Sequence, residues 1–203
     1  MKPPRGACVL GFAPHSGWAA VVVIGGTPSA PAVLARERVT LADEALAGSK
    51  QPYHAIEALP LPEARMRLAA LESSAARLAG AAIGQLVRIA RAAGIEPCAA
   101  GILDSAGRSG ATLEAILASH ALIHTADGNH FREAVSGGCA AHGLAVVRIR
   151  QRDLAGEAAR SLRRTPRALT ATLTQLGREA GPPWGADQKA AALIAWLLLA
   201  RGV

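Results

Sequence analysis

Two aspartates stand where a fold could gather carboxylates for metal or acid–base chemistry. Asp104 ends the apolar run 98–103 and is followed by Ser105 and Gly107. The C-terminal end of a strand is where α/β sheets place their ligands; an Asp before Ser and Gly also suits a turn. Asp187 follows Pro182, Pro183 and Gly185 and opens an apolar helical stretch. There it could serve a site, or oppose the positive end of the helix dipole. His15 and Ser16 lie on a tight turn after the first apolar run, a place that carries function more often than a core position does. His120 and His124 are four apart, which puts both on one helix face at a spacing that suits a transition metal. Ala121, Leu122 and Ile123 stand between them, so the H-E-x-x-H arrangement is absent. His130 and Glu133 follow, beyond Gly128.

The cations suggest a partner. Net charge is +7, a balance that suits phosphate-bearing partners such as DNA or RNA. Arg148, Arg150, Arg152, Arg160, Arg163, Arg164 and Arg167 face only Asp153 and Glu157 over the same stretch. They are candidates for phosphate contact, with Lys189 beside Asp187. A solvated basic face, in a chain rich in Arg, Ala and Gly, is the plain alternative. No aromatic residues interleave with these arginines, so base stacking on single strands is not suggested. Residues 125–129 (TADGN) could offer backbone N–H groups to an anion at a helix start. The spacings of a P-loop, a dinucleotide fingerprint and a nucleophile elbow are absent. Cys8, Cys98 and Cys139 have no C-x-x-C spacing and read as buried free thiols.

The elements that must position these residues follow from the apolar pattern. Apolar residues make up 51% of 203, enough for a sizeable core in one domain spanning residues 1–203. Residues 8–13, 18–24 and 32–41 read as three strands joined by short turns, an antiparallel meander. Residues 42–62 read as a loop holding Tyr53 and His54. Leu68, Leu71, Ala75, Leu78, Ala82 and Leu86 form one stripe of a long helix over 63–93. A buried strand follows at 98–103, then a helix at 112–121, a break at 125–128 and a second helix at 129–141. Residues 144–149 are the last strand. The segment 150–177 is basic and helical in parts, interrupted at Pro166, and 186–201 is a final apolar helix. Trp196 reads as core, and Trp184 as a cover for a cleft edge near Asp187. The strands after the long helix must return beside the first by right-handed crossovers, giving a mixed α/β sheet flanked by helices. Lys2 and Arg5 precede an apolar stretch broken at Pro14, His15 and Ser16, which lacks the shape of a signal peptide. The apolar run 190–200 is too short to span a bilayer. The expected location is the cytoplasm.

This order, three meander strands and then helix, strand, helix, strand, helix, resembles the ribonuclease H-like superfamily, and RuvC-type junction resolvases in particular. The stretch 10–18 (LGFAPHSGW) resembles their first-strand motif, in which an Asp precedes the Pro. Ile102-Leu103-Asp104 resembles their central strand with its terminal acid. Residues 129–152 look like their next helix and strand, and 187–195 like the acidic start of their last helix. The resemblance implies a nucleic-acid enzyme using Mg or Mn, in which paired ions about 4 Å apart clamp the attacking and leaving oxygens. It implies Asp104 and Asp187 as metal or acid–base carboxylates; on this chain's own residues, His15 is a further catalytic candidate and stands with Lys189 near the expected phosphate. Two departures stand out: Ala13 takes the place of the family's first Asp, and its second acid in the last helix falls at about Ala190. Imidazole is a poor substitute for a bridging ligand of magnesium, so His15 does not replace Ala13's missing carboxylate.

The function expected is that of a nucleic-acid-associated protein with a degenerate ribonuclease H-like core, binding or cutting structured DNA or RNA. Two other readings stay open. One is a small-molecule or phosphate-processing enzyme using His15, Asp104, His120 and His124 in one cleft. The other is a scaffold that pairs with a protein partner, a homodimer included.

Overall fold

The computed structural model describes residues 6–105 and 110–203, so Gly107 lies outside the described residues. Strands β1 (Ala7–His15), β2 (Trp18–Gly26) and β3 (Pro31–Thr40) form the expected antiparallel meander. The β1–β2 turn closes on two residues, and Gly17 takes the left-handed φ of +82° that the turn requires. A connection containing the short 3-10 turn His54–Ile56 leads to helix α1 (Leu61–Ala92). Pro62 stands in its first turn, where a missing N–H costs nothing. Strand β4 (Glu96–Asp104) runs parallel to β1, and β5 (Ala145–Arg150) parallel to β4. Between them lie α2 (Leu113–Leu117) and α3 (His120–Ala141); α4 (Gln151–Leu162), α5 (Pro166–Ala180) and α6 (Ala186–Arg201) follow. The sheet order is β3-β2-β1-β4-β5.

Each face of the sheet has its own core. Cys8, Leu10 and Phe12 of β1 pack with Ala79 and Ile83 of α1 and Phe131 and Val135 of α3. Val9 and Ala13 pack on the other side with α6, which α4 and α5 cover in turn. This sandwiched position explains α6: Ala191–Leu199 is buried without interruption, as a helix apolar on all sides should be. Two glycines let α6 approach. Gly11 and Gly101 are register partners in β1 and β4. A Cβ on Gly11 would lie 1.9 Å from the Ala191 carbonyl oxygen, and one on Gly101 2.7 Å from Cγ1 of Ile194. Trp196 is fully buried and donates its indole N–H to Pro28 O at 2.9 Å. Trp184 is half-buried against α5. Its ring packs on Gly177, and its N–H donates to Leu173 O at 2.9 Å, which docks the loop before α6 onto α5.

The helices between β4 and β5 differ from the sequence expectation. The break falls at Ala118–Ser119, not at 125–128, and α3 runs unbroken through Gly128. Gly in a helix interior costs about 1 kcal/mol relative to Ala. Burial of Ile123, Ala126 and Phe131 on either side of Gly128 outweighs it. The anion-binding helix start at 125–129 therefore does not exist, because those N–H groups lie inside the helical ladder. The break at Pro166 is as expected: Thr165 caps α5 by accepting the Ala168 N–H at 3.2 Å. Cys8 and Cys139 are buried free thiols, and burial pushes each up to about 12.

Candidate functional site

The parallel register places the C-terminal ends of β1 and β4 side by side. Residues alternate between faces along a strand, so Val9, Gly11, Ala13 and His15 face α6. His15 Nε2 lies 2.9 Å from Asp187 Oδ1 in the first turn of α6, with side chains 43% and 37% exposed. The His15 ring stacks on Trp18 with centroids 4.5 Å apart, and the Arg38 guanidinium sits 3.7 Å from the Trp18 centroid. Lys189 is exposed two residues beyond Asp187. The strand-end positions beside this group on the same face are Ala13 and Leu103, both buried and apolar.

Asp104 belongs to the other face. It continues the row of Ala100 and Ile102, which packs toward α1 and α3. Its Oδ1 accepts from Arg148 Nη2 at 3.1 Å and from the Ser105 N–H at 2.9 Å, with Arg132 Nε at 3.8 Å. Arg148 also pairs with Glu133, and Arg132 donates to Leu103 O at 3.1 Å. Burial works against the Arg148 charge, but the bonds from Glu133 and Asp104 outweigh it and hold its pKa above the usual value. Burial lowers that of Arg132, with Asp104 pulling the other way and Arg148 adding to the decrease. Asp104 is thus one member of a four-residue ionic network.

The structure joins His15 to Asp187 and Asp104 to Arg148; it sets the two aspartates on opposite faces of one sheet end. Paired hard cations need several carboxylates converging on one point. With Ala13 and Leu103 apolar and Asp104 turned to the far face between two arginines, the side chains as placed do not fit a shared two-ion cluster.

The arginines of 148–167 do not form one surface. Arg148 is drawn inward. Arg150 and Arg152 both approach Asp153, at 2.7 and 3.7 Å. Arg163 is exposed at the α4 C-terminus in the left-handed region, with φ 50°. Arg164 reaches Thr172 Oγ1 and Ser29 O, each at 3.4 Å, and lies 5.3 Å from the Trp196 centroid.

A second histidine–aspartate pair was not legible in the sequence. Asp127, on α3, is 4% exposed. It accepts the Tyr53 N–H at 2.7 Å and pairs with His54 Nδ1 at 2.5 Å. Next to His54 stand His120 and His124, whose Nε2 atoms are 3.0 Å apart. The spacing of His120 and His124 was the available signal; nothing pointed to His54 as their neighbour. A cleft of about 420 Å³ opens beside this group, lined in part by Tyr53, Glu72, Asn129 and His130. Burial lowers the His130 pKa, against an opposing pull from Asp127, and its Nε2 has no partner.

No protein-family model matches the chain, and no curated protein does. Solved structures do match. The mixed sheet with helices on both faces is a ribonuclease H-like α/β fold, of the RuvC kind. T. thermophilus RuvC in complex with Holliday junction substrate superposes with a TM-score of 0.55 at 11% identity, covering 94% of this chain and 91% of that one. The Thermus thermophilus RuvC structure gives 0.54 at 11% identity, covering 94% and 92%. Among the described residues no helix is long and apolar enough to cross a membrane.

Proposed function

We propose that this chain, acting as one domain in the cytoplasm, binds structured DNA or RNA, branched junctions above all, without cutting it by paired metal ions. The observation that carries this reading is the likeness to RuvC over nearly the whole of both chains, one of those structures holding a Holliday junction. The net charge of +7 supports it, because phosphate contact dominates nucleic-acid affinity. Arg150, Arg152, Arg163 and Lys189 are the phosphate-contacting groups. Arg148 and Arg164 act from behind them, Arg148 by fixing the end of β5 and Arg164 by tying α5 to the β2–β3 turn. Asp187 and His15 mark the strand-end surface that meets the backbone, and Asp104 serves as the counter-charge for Arg148.

The test is a titration of fluorescent four-way junction, duplex and single-stranded DNA and RNA against salt, with and without magnesium or manganese. The expected result is preferential junction binding whose log affinity falls linearly with log salt. The triple substitution of Arg150, Arg152 and Arg163 by Ala should flatten that slope by about 2 to 3, since each phosphate left without its arginine accounts for about 0.9. Absence of binding to every probe at low salt would sink the reading. Magnesium-dependent cleavage that Asp187→Ala abolishes would overturn its non-cleaving part.

A further inference from the structure

We infer that His54, His120 and His124 bind a single transition-metal ion, zinc by preference, with Asp127 as the carboxylate that orients His54. One ring nitrogen of each histidine lies within 4.8 Å of the others. The rings do not stack. Their planes meet at 90° for His54 and His120, 65° for His54 and His124, and 80° for His120 and His124. Edge-on packing of this kind keeps the three rings close without stacking, and their ring nitrogens stay within reach of one ion.

Three features make this more than a surface patch. His120 and His124 hold Nε2 atoms 3.0 Å apart. At that distance one nitrogen can donate to the other, but two lone pairs can face each other only across a cation. His54 is half-buried, and a buried carboxylate fixes it. Asp127, with a side chain 6% exposed, takes its Nδ1 and is itself held by the Tyr53 N–H. A carboxylate on Nδ1 leaves the Nε2 lone pair as the outward donor, the arrangement in which metal-ligating histidines are held. The site also lies where ligands gather in α/β folds. Arg132, further along α3, meets the C-terminal end of β4, and the first turns of α3 extend beyond it.

The donor set selects the ion. Three neutral imidazoles favour zinc and its transition-metal neighbours over magnesium or calcium, which take oxygen ligands. Zinc–nitrogen bonds of about 2.0–2.1 Å put tetrahedral donors roughly 3.4 Å apart, so side-chain rotations must open the His120–His124 spacing slightly from 3.0 Å and draw in any spacing that is wider, the upper bound among the three being 4.8 Å. His120 and His124 are exposed, which leaves a fourth position open to water or an incoming oxygen.

The experiment is isothermal titration of chelator-treated full-length protein with zinc, and with cobalt read by its visible absorption. The expected result is one ion per chain and the intense bands of tetrahedral cobalt. His120→Ala with His124→Ala should weaken binding more than 100-fold while leaving the thermal melt of the metal-free protein unchanged, since both side chains are exposed. Asp127→Asn should weaken it by about 10- to 100-fold. No stoichiometric binding by the wild type, or equal binding by the double variant, would overturn the site. Either result stands apart from the nucleic-acid titration, which reads a different surface.

Discussion

Two histidine–aspartate pairs sit at or beyond one end of the sheet, on opposite faces, and they are not equivalent. His15–Asp187 lies on the α6 side with both side chains more than a third exposed. His54–Asp127 lies on the α3 side with the carboxylate nearly enclosed. The two pairings are alike, yet burial separates their consequences. An exposed pair is screened by water and contributes little to stability. A buried carboxylate must keep its hydrogen bonds, and so holds its histidine in one tautomer and one direction. The α6 side has apolar Ala13 and Leu103 beside its His–Asp pair and so lacks converging carboxylates. The α3 side has a converging donor set at a place the resemblance did not suggest.

The sharpest way to break this comparison is to disturb one face and leave the other. Gly11→Val drives a side chain into the Ala191 carbonyl and should cost about 3 kcal/mol in urea denaturation. It should displace α6, and Asp187 with it, while zinc binding by the remaining folded protein persists. Next in size is Asp127→Ala, which leaves the Tyr53 N–H and His54 without their buried acceptor. A loss of about 1–3 kcal/mol is expected, where Asp187→Ala changes stability by no more than about 0.5 kcal/mol. Equal losses for the two would erase the distinction drawn between the pairs.

Protonation sharpens the same contrast. Burial lowers the His130 pKa below 6.5, so below that pH the unfolded chain takes up a proton that the folded chain resists. Stability should therefore fall as pH drops from about 6.5 toward the folded pKa. Denaturation at pH 7.5 and 5.5 should show a larger loss for the wild type than for His130→Gln. The smallest effect expected is at Lys189, beside the exposed pair. Lys189→Ala should lower the salt slope of junction binding by about 0.9 and leave zinc affinity unchanged.

Much of the frame was legible in the sequence. The meander, the long helix, the two later strands and the final helix were all readable, because period and turn chemistry are local properties. The apolar stripe of α1 and the unbroken apolar surface of α6 announce one covered face and one enclosed helix. Gly128 misled for an equally local reason: its low helix propensity was visible, while the packing of Ile123 and Phe131 that overrides it was not. The i, i+4 spacing of His120 and His124 was readable for the same reason that the helices were.

What only the tertiary structure decided is which side chains face one another. β4 is buried on both faces, so its sequence is an apolar run without alternation, and nothing in it tells whether Asp104 or Leu103 turns toward α6. A shift of one residue exchanges the two faces. That parity, fixed by the register of β4 against β1 and by Gly11 and Gly101 admitting α6, sends Asp104 to Arg148 and leaves Asp187 with His15. The meeting of His54 with Asp127, His120 and His124 depends likewise on where the connection before α1 lies across α3, a long-range contact that residue type and spacing do not encode.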